Sequence, residues 1–340
     1  MMERSLWHPV ASATDLPADI AVKAPLAAQL LDEQLVLWRD AAGAVRAFAD
    51  RCPHRGARLS LGCVRGGELE CAYHGWRFDG AGQAVAVPAL PGFVPPPGHR
   101  ATAHAVREAY GLLWVRLAPG DAADADSVDD VPAFAAEHDA RLRKTNCGPY
   151  DVATSAPRIV ENFLDMAHFG FVHEGWLGDR GHLAVDDYRV DATAHGFLAT
   201  GCKAWQPRSS VHAEGGAQVE YSYEVNAPYT AVLCKMPDAA SVAIDGFRES
   251  IALFVCPVTP ESSRVWFRLA MNDFDSNDAT LQAFQHTIFS QDQPVLESQR
   301  PKCLPVSDAA PVRELNSAAD RSSAAYRRYL RERGVRFGVC

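Results

Sequence analysis

Several absences narrow the reading first. Basic residues are not in excess: 33 Lys and Arg stand against 42 Asp and Glu, for a net charge of −9. A chain without a basic stripe has no electrostatic footprint for nucleic acid. No apolar run is long enough to span a bilayer, and the opening MMERSLWHPVASATDLPADI lacks the apolar centre of a secretory leader. Together these point to a cytoplasmic protein with no membrane partner. There is no G-x-G-x-x-G after a strand for a dinucleotide and no C-x4-C-x2-C ferredoxin pattern. Nine Cys is an odd number, and without an export signal it favours free thiols and metal ligands over a disulfide framework.

What is present is ordinary in bulk: 340 residues, 48% hydrophobic and 22% charged, enough for one large domain or two ordinary ones. LVLWRDAAGAVRAFAD alternates about an AG turn and reads as a hairpin; GQAVAVPAL and YGLLWVRLAP read as strands, with PGFVPPPGHR a loop between them. The acidic stretch PGDAADADSVDD marks a boundary between domains 1–118 and 119–340. Beyond it, VPAFAAEHDARLRK reads as a short helix and APRIVENFLDMAHFGFVHEGW as helical. Strand-like runs fill 184–270, and helices occupy 278–300 and 317–333. The expected class is α+β: an all-β N-terminal domain, then an antiparallel sheet covered by helices in a helix-grip arrangement.

Chemistry concentrates first in CPHRGARLSLGCVRGGELECAYHGW. Cys52 and His54 form C-x-H, and sixteen residues later Cys71 and His74 form C-x-x-H. Four N and S ligands suit either tetrahedral zinc or a Rieske [2Fe–2S] centre, in which two His replace two Cys on one iron. Zinc fingers usually pair Cys with Cys and His with His. Here each short segment offers one of each, so two opposed loops can give both Cys to one iron and both His to the other. Glycines allow the tight turns, and backbone N–H groups and the Tyr73 hydroxyl are candidate donors to the cluster sulfurs. The other seven Cys read as small buried hydrophobes.

This stretch closely resembles the Rieske domain of the Rieske non-haem iron oxygenases. Ala72 stands where the most similar subgroup often has Pro, which removes no ligand. A cluster only passes single electrons, so a second centre is needed to use them. ENFLDMAHFGFVHEGW offers Asp165, His168 and His173. Asp165 and His168, three apart, share a helix face, whereas His168 and His173 diverge by about 140° on a regular helix. They meet only if the helix ends or distorts near Gly170. Two His invite a carboxylate, the facial set of non-haem Fe(II) oxygenases. In LQAFQHTIFSQDQPVLESQ the stripe Leu281, Phe284, Ile288 runs on to Asp292 and then Val295 or Leu296, which turns a carboxylate inward where it is costly unless bound. Asp273, Asp275 and Asp278 read as a solvated loop, and Glu297 lies off the stripe.

The pattern N-x-x-D-x-x-H-x4-H, then CPVTPESSRVWF, the DQPVLESQ run and the AADRSSAAYRRYL helix resemble the vanillate O-demethylase type of Rieske monooxygenase. The resemblance covers nearly the whole chain. It implies one [2Fe–2S] cluster on Cys52, His54, Cys71 and His74, and one mononuclear Fe(II) on His168, His173 and Asp292. It also implies a head-to-tail homotrimer, in which Asp165 bridges a neighbour's His74 to its own His168 and carries electron transfer. Asn162 stays close to the iron at most. Gln291 stands where relatives often have Glu. The activity implied is hydroxylation with O2 of an aromatic or polycyclic small molecule, including O- or N-demethylation, with electrons from a separate NAD(P)H-dependent reductase, with or without a ferredoxin. A cis-dihydroxylating dioxygenase and an iron–sulfur carrier without oxygenase activity are the alternatives. Arg327, Arg328, Arg331 and Arg333 read as a solvated helix face, or as a docking patch for an acidic partner.

Overall fold

The computed structural model describes residues 1–17, 24–117, 130–208, 215–237, 248–307 and 309–340. They divide into two compact units, Met2–Val131 and Pro132–Cys340. The boundary expected at 118/119 falls among residues 118–129, outside the described residues.

The N-terminal unit is all β. One antiparallel sheet holds β1 (His8–Ser12), β10 (Leu112–Arg116), β9 (Ala103–Ala109), β4 (Val45–Ala49), β3 (Glu33–Arg39) and β2 (Leu26–Leu30), in that order. The hairpin read from LVLWRDAAGAVRAFAD is β3 and β4, paired Trp38 to Arg46. Asp40 fixes its turn by accepting the N–H groups of Ala42 and Ala44 at 2.9 and 3.0 Å. A smaller sheet follows, ordered β5 (Cys63–Arg65), β6 (Glu68–Glu70), β7 (Arg77–Phe78) and β8 (Ala84–Ala86). Val36, Trp38, Phe48, Leu59, Leu69 and Phe78 make the core, and Cys52 and Cys71 pack into it.

The C-terminal unit is built on a seven-stranded antiparallel sheet. Its order is β11 (Arg143–Val152), β17 (Ser262–Met271), β16 (Glu249–Thr259), β15 (Thr230–Pro237), β14 (Ala217–Ala227), β13 (Phe197–Gln206) and β12 (Arg189–Ala192). Alternation shows best in β14, where Val219, Tyr221, Tyr223 and Val225 are buried while Gln218 and Glu220 face water. The segment 131–144, expected to be a helix, holds only the 3₁₀ turn Ala135–His138 before Arg143 and Lys144 enter β11. Pairing with β17 outweighs local helix preference there.

Among the described residues, four α-helices complete the unit: α1 (Ala156–Phe163), α2 (Phe169–Val172), α3 (Asp278–Ser298) and α4 (Arg321–Glu332). Asn277 caps α3 by accepting the Thr280 N–H at 2.9 Å. Side chains then tie α3 along β11 and just past its end. Gln282 donates to the Asn146 carbonyl at 2.9 Å, Gln293 to that of Asp151 at 3.0 Å, and Glu297 accepts the Ala153 N–H at 3.0 Å. In α4, Arg327 is no docking residue. It is half-buried and bonded to Glu161 and Glu314, while Arg158 of α1 grips the same Glu314 at 2.6 and 2.9 Å. Arg333 packs over Tyr329 and donates to the His195 carbonyl. None of the described helices is long and apolar enough to cross a membrane.

Candidate metal centres and catalytic cavity

Two similar loops form the first centre. In each, a Cys opens the turn and a glycine four residues later closes it. Gly56 N–H donates to the Cys52 carbonyl and Gly75 N–H to that of Cys71, both at 2.9 Å. The return bonds, Cys52 N–H to Ala57 and Cys71 N–H to Trp76, measure 2.8 and 2.9 Å. Both glycines have positive φ, 72° and 69°, a conformation that side chains resist. Buried Asp50 braces the first loop by accepting the Ser60 N–H, the Ser60 hydroxyl and Arg58 Nε at 2.6–2.8 Å.

The loops set two thiols side by side in the core and two imidazoles outside it. Cys52 and Cys71 are buried and within hydrogen-bonding reach of each other. The exposed rings of His54 and His74 stand 4.5 Å apart, with Trp76 stacked on His54 at 4.7 Å. Burial pushes the Cys52 thiol up to about 11, against the pull of the His54 backbone N–H, and the facing Cys71 adds to it. A thiolate there needs a cation beside it. Tyr73 is exposed with its ring 3.9 Å from that of His74.

The second centre starts from a broken helix. α1 stops at Phe163, and the chain restarts as the single turn α2, with His168 and His173 as its flanking residues. Two side chains account for the break. Ser322 of α4 takes the Leu164 carbonyl at 3.0 Å, and Asp165 Oδ1 takes the Ala167 N–H at 2.8 Å, so neither backbone group is left for a continuous helix. The interruption therefore lies at 164–168, ahead of Gly170. Asp165 and His168 do meet, His168 Nδ1 to Asp165 Oδ2 at 3.0 Å, but through a turn and not along a helix face.

His168 Nε2 and His173 Nε2 lie 3.2 Å apart, and Asp292 Oδ1 is 3.5 and 3.2 Å from them. Among the described residues this is the one group of three or more His, Cys or acidic side chains with all ligand atoms within 4.8 Å. Each member is held from behind. Asp165 accepts from His168 Nδ1, Gln291 Oε1 accepts from His173 Nδ1 at 2.8 Å, and Asn162 Nδ2 donates to Asp292 Oδ1 at 3.2 Å. With both Nδ1 atoms donating, both Nε2 atoms present lone pairs to each other and to a carboxylate. Three electron-rich atoms so placed need a cation between them. Edges of about 3.0–3.4 Å are what bonds of about 2.1 Å from one metal ion would give. Burial opposes the charge on Asp165, but the hydrogen bond from His168 and the Ala167 and His168 N–H groups outweigh it, and its carboxyl is held below the usual range.

The triad opens on a cavity between α1, α3 and the sheet. Ile159, Phe163, Phe169, Leu177, Ile251, Leu253, Phe267 and Phe289 give it a mostly apolar lining, with Lys235 and Glu249 as charged exceptions. Burial pushes the lining hydroxyls of Tyr221 and Tyr223 far up, so both are neutral.

Comparison with known proteins decides the family. Residues 6–98 match the Rieske [2Fe-2S] domain, and residues 152–336 match the vanillate O-demethylase oxygenase C-terminal domain. The methylxanthine N1-demethylase NdmA of Pseudomonas putida is 34% identical, over 97% of this chain and 88% of its own. Its structure with caffeine superposes with a TM-score of 0.80 at 32% identity, covering 97% of this chain and 90% of that one. A vanillate O-demethylase oxygenase subunit from Pseudomonas is 32% identical over 58% of this chain and 51% of its own. The chain belongs to the Rieske non-haem iron oxygenases.

As a Rieske oxygenase it works with one [2Fe–2S] cluster and one mononuclear iron. The donor sets fit both. Cys52, His54, Cys71 and His74 are not gathered within 4.8 Å of one another as the ligands of one tetrahedral zinc would be; they form a thiol pair and an imidazole pair, as a two-iron rhomb requires. Several finer expectations change. Asp273 is buried, not solvated, and accepts the Asp275 and Ser276 N–H groups at 3.0 Å. Asp278 pairs with Arg143. Among the remaining Cys, 147, 202 and 256 are buried, but Cys234 is exposed and Cys63, Cys303 and Cys340 are half-buried. The stripe on α3 continues to Leu296, with Val295 outside. Lys235 and Glu249 were not singled out. The signal was there: each is a charge on the inward phase of a strand, in step with Leu233 and with Ile251 and Leu253.

Proposed function

We propose that this chain is the terminal oxygenase of an N-demethylating system acting on a methylated nitrogen heterocycle. The observation that carries this reading is the His168–His173–Asp292 triad on the wall of a largely apolar cavity. The likeness to a methylxanthine N1-demethylase over 97% of the chain supports the substrate class. Phe163, Phe267 and Phe289, with ring centroids 6.3 and 5.3 Å apart in sequence, suit a flat ring.

Cys52, His54, Cys71 and His74 hold the cluster in a domain spanning 1–118. His168, His173 and Asp292 hold the iron in a domain spanning 119–340. When bound, the cluster supplies single electrons and the iron activates O2. Asp165 and Gln291 fix the two imidazoles by their Nδ1 atoms, and Asn162 steadies Asp292, so three lone pairs stay aimed at one point. The apolar wall excludes water and holds a methyl group near that point. One atom of O2 enters a methyl C–H bond, and the other leaves as water with two electrons and two protons. The N-hydroxymethyl product then loses formaldehyde unaided.

The electrons come from a separate NAD(P)H-dependent reductase. The oxidoreductase NdmD of Pseudomonas putida is 42% identical over 118 residues, 34% of this chain and 19% of its own length. The assembly proposed is a head-to-tail homotrimer. His74 is exposed, and Asp165, with 27% of its side chain accessible, can accept a second hydrogen bond from a neighbour's His74. The test is product analysis with purified chain, a matched reductase, NADH and a panel of N-methylated heterocycles. Formaldehyde and the demethylated ring are expected. A ring cis-diol without formaldehyde would make the enzyme a dioxygenase.

A further inference from the structure

The cavity contains two charges that neither iron centre uses. Lys235 of β15 and Glu249 of β16 are direct cross-strand partners. Their side chains line the cavity and are 5% and 14% exposed, with Nζ 3.8 Å from Oε2. Tyr221, the partner of Lys235 on β14, completes a row across the sheet, and its hydroxyl is already engaged by Gln206. The next row along the strands, Leu233 and Ile251, is apolar.

A buried ion pair is seldom there for stability, since apolar residues of the same volume do as well. At 3.8 Å this one is also loosely made. Lysine has three N–H donors and a carboxylate about four acceptor sites. Among the described residues Glu249 is the one ion-pair partner of Lys235, so one such contact leaves most of that capacity facing the cavity. Burial works against both charges: it lowers Lys235 and raises Glu249, while each partner opposes the change in the other. A ligand that satisfies both at once must offer an acceptor beside a donor and carry no net charge. A free carboxylate would take Lys235 from Glu249 and leave that acid buried without a cation.

We propose that Lys235 and Glu249 are the specificity pair of this oxygenase and select a neutral ring with a carbonyl next to an N–H, the edge of a cyclic amide or imide. Lys235 donates to the carbonyl and Glu249 accepts the N–H. This rests on the demethylase reading and adds the edge by which the ring is held, away from the atoms that react.

Equilibrium dialysis of the iron-loaded enzyme against theobromine, caffeine and vanillate tests it. Theobromine offers an N–H between two carbonyls. Caffeine is the same ring with that nitrogen methylated, and vanillate is an aromatic carboxylate. Theobromine is expected to bind about 10- to 100-fold more tightly than caffeine, the range of one hydrogen bond to a charged group, and vanillate more weakly than either. Lys235→Met alone strands a buried acid and risks misfolding, so the deciding variant is K235M/E249L, with cluster colour as the check on folding. It should bind theobromine and caffeine alike. A retained preference in that variant, tighter binding of vanillate, or no binding of any probe would overturn the proposal. Preferential binding without formaldehyde would instead sink the demethylase reading. Formaldehyde release with an unchanged preference in the double variant would sink only the specificity pair.

Discussion

Gln291 shows how one residue adapts the iron site. An amide carbonyl holds His173 Nδ1 at 2.8 Å where a carboxylate would bring a further charge. Removing that acceptor in Gln291→Leu should weaken iron binding about 10- to 100-fold, the usual cost of losing an outer partner, and leave the cluster intact; iron titration of the stripped protein measures it. Asp292→Ala removes the carboxylate proposed as an iron ligand and should abolish mononuclear iron and turnover while the colour of the cluster stays. Asp165→Asn keeps the shape of the contact to His168 and loses the charge, and charge-assisted bonds are about twice as strong as neutral ones. Both centres should stay filled while turnover drops by about 100-fold. Stopped-flow reoxidation of the reduced cluster with substrate and O2 is the check, and a wild-type rate would make Asp165 merely structural. Asp292 was legible in the sequence because it is a charge on an apolar helix stripe. The hold of Asn162 on Asp292 was not, since it joins residues 130 apart.

At the scale of elements, the segment between α1 and α2 matters most. The sequence pattern called for a helical stretch disturbed near Gly170. The break comes earlier because it is made by Ser322, 158 residues away, together with the Asp165 side chain. No local propensity carries that information. The same segment is packed from outside by Gly178. A Cβ there would sit 2.5 Å from the Phe169 carbonyl carbon and 2.6 Å from Gly170 N, both backbone atoms. Gly178→Ala should therefore displace α2 with its two His, at a cost of about 1–3 kcal/mol. Iron occupancy should fall while the cluster spectrum is unchanged. Full occupancy would mean that the segment yields without moving its ligands. The strands of the sheet were legible from their alternation. The inward phase of Lys235 and Glu249 was legible in the same way, but their meeting was not, because that depends on the register of β15 against β16.

At the scale of the whole molecule, the two-centre organisation was the most legible feature, since spacing rules for metal ligands are stricter than those for secondary structure. The two units should also differ in acid sensitivity. In the N-terminal unit His8 is buried, its Nε2–H donating to the Glu3 carbonyl at 2.7 Å, and burial lowers its pKa from 6.5 to about 4 despite that bond and the Glu3 charge. A base whose pKa is depressed on folding gives stability that is full above pH 6.5 and lost as pH falls towards 4, on the order of 3 kcal/mol. His104, also lowered by burial, acts in the same direction. Urea melts of wild type and His8→Gln at pH 7.5 and 4.5 should show the variant losing less stability on acidification. The central claim is that externally supplied electrons and O2 are spent on a methyl C–H bond at His168, His173 and Asp292. The most direct measurement is the ratio of formaldehyde formed to O2 consumed with reductase, NADH and an N-methylated heterocycle. The account requires one formaldehyde per O2 in the wild type and none in Asp292→Ala, whose cluster is still reduced by NADH. Both oxygen atoms recovered in the ring, or undiminished formaldehyde from Asp292→Ala, would contradict it.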